Sequence, residues 1–324
     1  MHISTFSRRA ALCLALFFLF PLLQSCAESG ADSDSITLVA TLFPVYDFAR
    51  TIAANTDTSV TMLLPPGMES HSFEPTPQDI IAVSRADIFA YTGEYMEKWA
   101  ERLLDGLGGA QGEMGGFRTV GELLIADCSE DIPLDEVAHA HEEDGHGHGN
   151  YDPHIWTDPA AAAKMAETVA EALIAKDPAN EETYRTNLAA LQAELDALDR
   201  AFFELTEQAV RKEICFGGRF AMHYFAKRYG LRCISAYDSC SEETEPSAKA
   251  VAEITDAIES GGIGVIYYEE LADPKVARAI AAETGCEMLL LHSCHNLSKE
   301  DFDAGKTYLS LMYDNLENLK KGLL

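Results

Sequence analysis

Positive charge is scarce in this chain: 24 Lys and Arg stand against 53 Asp and Glu. So acidic a surface repels nucleic-acid phosphates and anionic lipid alike, and no nucleic-acid partner is expected. The eight cysteines contain no Cys-x-x-Cys pair, which leaves a zinc ribbon or a thioredoxin-like redox centre without support. His-Glu-x-x-His is also missing, since His141-Glu-Glu-Asp-Gly145 breaks it, and no general base is visibly paired with a metal ligand. The apolar run from Ala10 to Leu23 is too short to span a bilayer comfortably. Low complexity is confined to one histidine-bearing stretch.

That apolar run is preceded by Arg8 and Arg9 and reads as a secretion signal over residues 1–25. Leu23-Gln24-Ser25-Cys26 resembles a bacterial lipoprotein processing box, which makes Cys26 the expected lipid anchor and residues 26–35 a tether. Cleavage removes two of the 24 basic residues and no acid, leaving 22 against 53, a net charge of −31. Six cysteines then remain besides Cys26: Cys128, Cys215, Cys233, Cys240, Cys286 and Cys294. Disulfides are permitted outside the cytoplasm, and six cysteines allow 15 connectivities. Several fall in expected strands, where a cysteine also serves as a small buried hydrophobe.

With 324 residues and 47% hydrophobic content, the chain has material for about two cored domains. Ile36 to Ala40, Ser59 to Leu64, Asp87 to Tyr91 and Phe117 to Val120 read as strands. Helices are expected from Pro44, from Thr76-Pro77 and over Tyr95 to Leu104. Strands alternating with helices at this spacing predict a parallel α/β sheet. From Asp158-Pro159 the pattern changes to two alanine- and leucine-rich helices, 159–176 and 180–211, with no strand between them. The second would be roughly 45 Å long, enough for a spine along two lobes. The alternation then resumes: strands at 214–216, 231–237, 264–268 and 286–291, and helices at 219–229, 246–260, after Asp273-Pro274, and at 303–321. The expected architecture is therefore α/β, with an N-terminal lobe over 36–157, a helical linker over 158–212 and a C-terminal lobe over 213–324.

Five of the ten histidines, His139, His141, His146, His148 and His154, fall between His139 and Pro159. The first four sit among glycines and acids in a loop, 139–149. His154, in Asp152-Pro-His-Ile-Trp-Thr-Asp-Pro159, is braced by a proline and an aromatic beside the start of the spine. Open parallel sheets bind ligands at the carboxyl ends of their strands. His71 follows the second strand, and His292 and His295 follow the last, so both lobes bring imidazoles to the edge where a cleft would lie. Three or four converging imidazoles would make a tetrahedral site suited to zinc.

Leu64-Pro-Pro-Gly-Met-Glu-Ser-His-Ser-Phe-Glu-Pro-Thr-Pro77, Asp152-Pro-His-Ile-Trp156, Tyr224-Phe-Ala-Lys-Arg-Tyr-Gly230, Glu245-Pro-Ser247 and Tyr308-Leu-Ser-Leu-Met-Tyr-Asp-Asn315 carry a resemblance. From about Ile36 to the C-terminus the chain is similar to the zinc- and manganese-binding solute-binding lipoproteins of metal ABC transporters. The resemblance implies two α/β lobes joined by a long helix, metal held between them, and delivery to a membrane permease without chemical change. It also implies His71 as first ligand and His154 as second. The third ligand of the family usually stands where this chain has Arg219, which cannot bind a cation. His223, four residues on, and Glu243 or Glu245 are the alternatives. The fourth place falls at His295, with His292 and Cys294 close enough to compete. A histidine in place of the usual aspartate favours Zn2+ over Mn2+, because nitrogen ligands suit zinc. The expected product is a monomer held by its lipid on the extracytoplasmic side of the membrane, at the bacterial cell surface or in the periplasm.

Two other classes share some of these features. A zinc hydrolase would use three histidines and an open water position, and a storage or adhesin lipoprotein would use the histidine loop itself. Deleting 139–149 separates the latter from a receptor, which should keep one tight equivalent of metal.

Overall fold

The computed structural model describes residues 35–70, 72–136, 151–237 and 246–324. Cys26, Cys240, Glu243, Glu245, His71 and the four loop histidines lie outside the described residues.

The first lobe begins with the buried run of β1 (Thr37–Ala40), then α1 (Phe43–Ile52), which has Pro44 in its first turn, and β2 (Ser59–Met62). Thr76 caps α2 (Pro77–Arg85) in a reciprocal pair with Asp79, as the Thr-Pro signal predicts. The fully buried β3 (Ile88–Tyr91) follows, then α3 (Ala100–Gly106). Helix α3 starts later than the expected Tyr95, because residues 93–99 form turns around the buried Glu97. Next come β4 (Gly112–Met114), β5 (Phe117–Val120) and β6 (Leu123–Asp127). The sheet order is β2-β1-β3-β6-β5-β4. Its first four strands are parallel, whereas β5 and β4 run antiparallel at one edge. Gly115 and Gly116, with φ of 59° and 93°, make the reversal between β4 and β5.

Asp158 caps α4 (Pro159–Lys176), whose alanine face is buried, and α5 (Glu181–Gln208) follows after one short turn. With 28 residues, α5 is about 42 Å long. It packs on α4 and α1 on one side. On the other it meets α6 (His223–Tyr229) and α10 (Tyr308–Leu323). This is the expected spine.

The second lobe has four parallel strands in the order β10-β9-β7-β8. They are β7 (Glu213–Arg219), β8 (Arg232–Tyr237), β9 (Val265–Tyr268) and β10 (Glu287–Leu290). Helices α7 (Ala248–Gly261) and α8 (Lys275–Thr284) flank them, and α9 (Lys299–Asp303) precedes α10. Gly305, at φ 74°, separates those two, and a capping pair of Thr307 and Ser310 restarts the helix at Tyr308. The helix expected over 219–229 is corrected here. Arg219 ends β7, paired with Tyr237 across a register shift, and α6 begins only at His223. Gly217 and Gly218 let the strand run on: a Cβ at Gly217 would sit 2.6 Å from the Ala277 side chain of α8.

One hydrophobic cluster runs through both lobes and the spine, from Leu38 through Trp156, Leu195 and Phe225 to Leu323. A smaller one, around Cys215, Ile254, Ile266 and Ile280, lies between β7, β9 and the helices α7 and α8. The five described cysteines are all unpaired thiols. No described helix is long and apolar enough to cross a membrane.

Candidate metal centre

His154 follows Pro153 and precedes a short 3-10 turn at Ile155–Thr157, and its side chain is 1% exposed. The Oδ1 of Asp152 accepts both the His154 backbone N–H, at 2.9 Å, and ring Nδ1, at 2.7 Å. A carboxylate on Nδ1 fixes the proton there and puts the lone pair of the neutral ring on Nε2. Burial alone would raise the Asp152 carboxyl, but its bonds to His154 outweigh that and hold it below the usual range.

The second lobe repeats this arrangement at the end of β10. His295 Nδ1 lies 3.0 Å from Glu270 Oε1 and 2.7 Å from Ser293 Oγ. Glu270 also accepts the Ser293 backbone N–H at 2.9 Å and its hydroxyl at 2.6 Å. Burial opposes ionisation of Glu270, yet His292, His295 and Ser293 together hold it far below the ordinary carboxylate range. His295 Nε2 is buried and has no hydrogen-bond partner among the described residues. A buried nitrogen lone pair left unbonded suits a ligand that arrives from outside the fold.

His292 and Cys294 sit in the same loop, and His292 Nδ1 also lies 3.5 Å from Glu270 Oε1. His292 Nδ1 accepts the Cys294 N–H at 2.9 Å, and its backbone is clasped by Asn315 through bonds of 2.7 Å on both sides. The Cys294 thiol is buried, points at the His292 carbonyl at 3.7 Å, and is pushed well up by burial, then by the charges of Glu270 and Asp47. Cys294 itself sits at φ 65°, a left-handed turn that carries the chain from His292 to His295.

Three loops are tied together around these imidazoles. Trp156 Nε1 donates to the Ser293 carbonyl at 2.7 Å. Asn296 Nδ2 donates to the carbonyls of Pro65 and Met68 at 2.8 Å each, and the Gly67 N–H donates to Leu297 at 2.8 Å. The segment leading to His71 is therefore pinned to the His295 loop, and Ser70, just before His71, is 5% exposed.

His223 stands apart from this pattern. It is the first residue of α6, its side chain is 45% exposed, and its Nε2 is 3.1 Å from Asp135 Oδ2, a carboxylate that also pairs with Lys227. Because Arg219 is in β7, no shared helical face relates it to His223. Among the described residues, no group of three His, Cys, Asp or Glu side chains is placed to hold a metal ion. Sequence reasoning missed Asp152 and Glu270. Asp152 was legible within its motif; Glu270, in Tyr-Glu-Glu-Leu after β9, carries no signal that joins it to His295.

Comparison with known proteins finds zinc-uptake and zinc-binding relatives. The family model described as the periplasmic zinc-uptake complex component A matches residues 38–322. The high-affinity zinc uptake system protein ZnuA of Bacillus subtilis is 34% identical over 316 residues, covering 94% of this chain and 95% of that one. The zinc-binding lipoprotein AdcA of Streptococcus pneumoniae serotype 4 is 34% identical over 312 residues, 96% of this chain, which spans 59% of AdcA's length. The crystal structure of the Zn(II)-bound ZnuA-like domain of Streptococcus pneumoniae AdcA superposes with a TM-score of 0.72 at 31% identity, covering 89% of this chain and 99% of that domain.

Proposed function

The chain belongs to the periplasmic zinc-uptake component A family, and from that membership we propose that it is an extracytoplasmic receptor that captures Zn2+ and hands it, unchanged, to the permease of an ABC transporter. The observation that carries the reading is the matched pair of buried imidazoles, His154 on Asp152 and His295 on Glu270, one from each lobe. Histidines that ligate zinc commonly have their second nitrogen held by a carboxylate, which fixes the ring and raises its basicity.

In this reading His71, His154 and His295 supply three of zinc's four positions. His223 would have to leave Asp135 to supply the fourth. An all-nitrogen protein set favours zinc over the harder manganese ion. Residues 26–35 tether a monomer to the membrane through a lipid on Cys26, and the lobes meet the spine near residues 158 and 212. The histidine loop at 139–149 gathers zinc transiently and feeds it inward.

Titration of metal-free protein with zinc in competition with a chromophoric chelator tests the proposal. One equivalent should bind far more tightly than micromolar. Binding no better than that, with His71 and His154 intact, rules it out.

A further inference from the structure

Helix α6 holds the segment that carries His154 at both ends. The buried Tyr224 hydroxyl donates to the Asp152 carbonyl at 2.8 Å, and Arg228 Nε lies 3.3 Å from Asp158 Oδ1. The two side chains are four residues apart on α6, about one helical turn, and so share a face. Between the two grips lie Pro153, His154 and the turn Ile155–Thr157. Helix α6 connects β7 to β8 of the second lobe, whereas the segment 152–158 leads into α4.

Tyr224 also fastens Asp152 from a second direction. Its oxygen accepts the Asp135 N–H at 2.9 Å, and the Asp135 carbonyl accepts the Asp152 N–H at 2.9 Å, so the three groups close a ring. Glu136 and Tyr151 pair beside it as an antiparallel bridge. Lys227 Nζ reaches both carboxylate oxygens of Asp135 at 2.6 Å, so this grip does not depend on His223. Burial pushes the Tyr224 phenol up to about 12, which keeps its proton on and its donor role intact. Arg228 is anchored in turn by a two-point pair with Asp199 of α5, at 2.6 and 2.7 Å.

Both backbone groups of Asp152 are thereby fixed, and its carboxylate is the one that holds His154 Nδ1. We propose that Tyr224 and Arg228 are positioning residues for the metal, through which α6 of the second lobe sets the place of His154. The inference rests on the receptor reading above, with His154 as a ligand. A shift of α6 then moves His154 as well, which makes zinc affinity depend on how the lobes meet.

Zinc affinity of the full chain, by competition with a chromophoric chelator, and thermal melts test this together. Tyr224→Phe removes only the hydroxyl and should weaken zinc binding about tenfold, the low end for losing a group that supports a ligand. Made in Asp152→Ala, the same change should weaken binding by less than about twofold, because the carboxylate through which it acts is gone. The visible bands of the Co2+-loaded protein, which report ligand geometry, should shift in Tyr224→Phe. Tyr184→Phe is the control: it removes another buried hydroxyl, bonded to Asp177 and Thr58 at 2.8 Å each near the start of α5. It should melt lower, yet keep wild-type zinc affinity and Co2+ bands. Arg228→Lys keeps the charge without the two-point pair; it should weaken zinc binding several-fold and gives the second reading if Tyr224→Phe does not fold. Wild-type zinc affinity or unshifted bands in Tyr224→Phe overturn the inference, as does an equal loss with and without the Asp152 carboxylate. An equal loss in Tyr184→Phe overturns it too, as does wild-type affinity in Arg228→Lys where Tyr224→Phe cannot be read. In each of these cases a wild-type chain that binds zinc tightly leaves the receptor reading standing. A wild-type chain that binds zinc no better than micromolar removes that reading first, and the inference with it.

Discussion

The indole nitrogen of Trp156 donates to the carbonyl of Ser293 over 2.7 Å, joining residues 137 positions apart in the chain. Trp156 is two residues beyond His154, and Ser293 is two before His295, so this bond ties together the two loops that carry the buried imidazoles. The Tyr308 hydroxyl, bonded to the Trp156 carbonyl at 2.6 Å, holds the same turn from α10.

Trp156→Phe removes the bond while keeping an aromatic ring, and it leaves the Ser293 carbonyl unsatisfied. Zinc affinity should fall about tenfold, with a stability loss of about 2 kcal/mol. Chelator competition and a thermal melt measure the two separately. A variant that melts several degrees lower but binds zinc normally would show that the bond serves the fold alone.

The carboxylates behind the imidazoles should matter nearly as much as the imidazoles. Asp152→Ala and Glu270→Gln are expected to weaken zinc binding by about 10- to 100-fold, the usual effect of losing such a partner. His154→Ala should cost more than either. Calorimetric titration of the three variants gives the order, and a wild-type affinity in Asp152→Ala would remove the carboxylate from the account.

Glu97 gives the stability a pH dependence independent of zinc. It is wholly buried, accepting the Thr41 hydroxyl and the N–H groups of Thr92 and Gly93, and burial pushes its pKa from 4.5 to about 7 despite those bonds. A carboxyl whose pKa is raised on folding favours the fold when protonated. Its contribution is complete below the unfolded value and is lost as pH rises through about 7. Relative to Glu97→Gln, the wild type should lose about 3 kcal/mol between pH 4.5 and 8. Denaturant melts of both proteins at several pH values, without metal, measure the difference. Parallel curves would show that Glu97 does not titrate in this window.

Removal of residues 139–149 should leave one tightly bound zinc and abolish only weaker equivalents. Zinc counted by atomic absorption after gel filtration decides the matter. Loss of the tight equivalent would place the metal in the loop and favour a storage protein.

Much of the frame was legible in the sequence because it obeys local rules. The alanine face of 159–176, the Asp158 cap, the Thr76-Pro77 start and the alternating strands of both sheets each carry a signal within a few residues. Edge strand β4 and strand β6 went unread: the first has only three residues, and the second is an apolar run whose strand character comes from pairing with β3 and β5. The Arg219–Tyr229 helix was misread for a related reason, since Gly217 and Gly218 tolerate either state and the contacts with β8 and α8 decide. His154 announced itself through the rigid motif around it. The carboxylate behind His295 did not, because Glu270 meets that ring only after β9 and β10 align side by side.

The hydrophobic cluster that threads both sheets and the spine bears on how the molecule comes apart. Phe202 of α5 meets Phe225 of α6 edge to face and Tyr229 at a tilt, while Leu188 and Leu191 of the same helix belong to the cluster shared with the first sheet. Neither half can release its share without stripping the other, so the two should melt in one cooperative transition. Topologically the chain is a pair. Thermodynamically it is a single unit, and a gene cut near residue 212 would yield two fragments, each with an apolar flank turned to water.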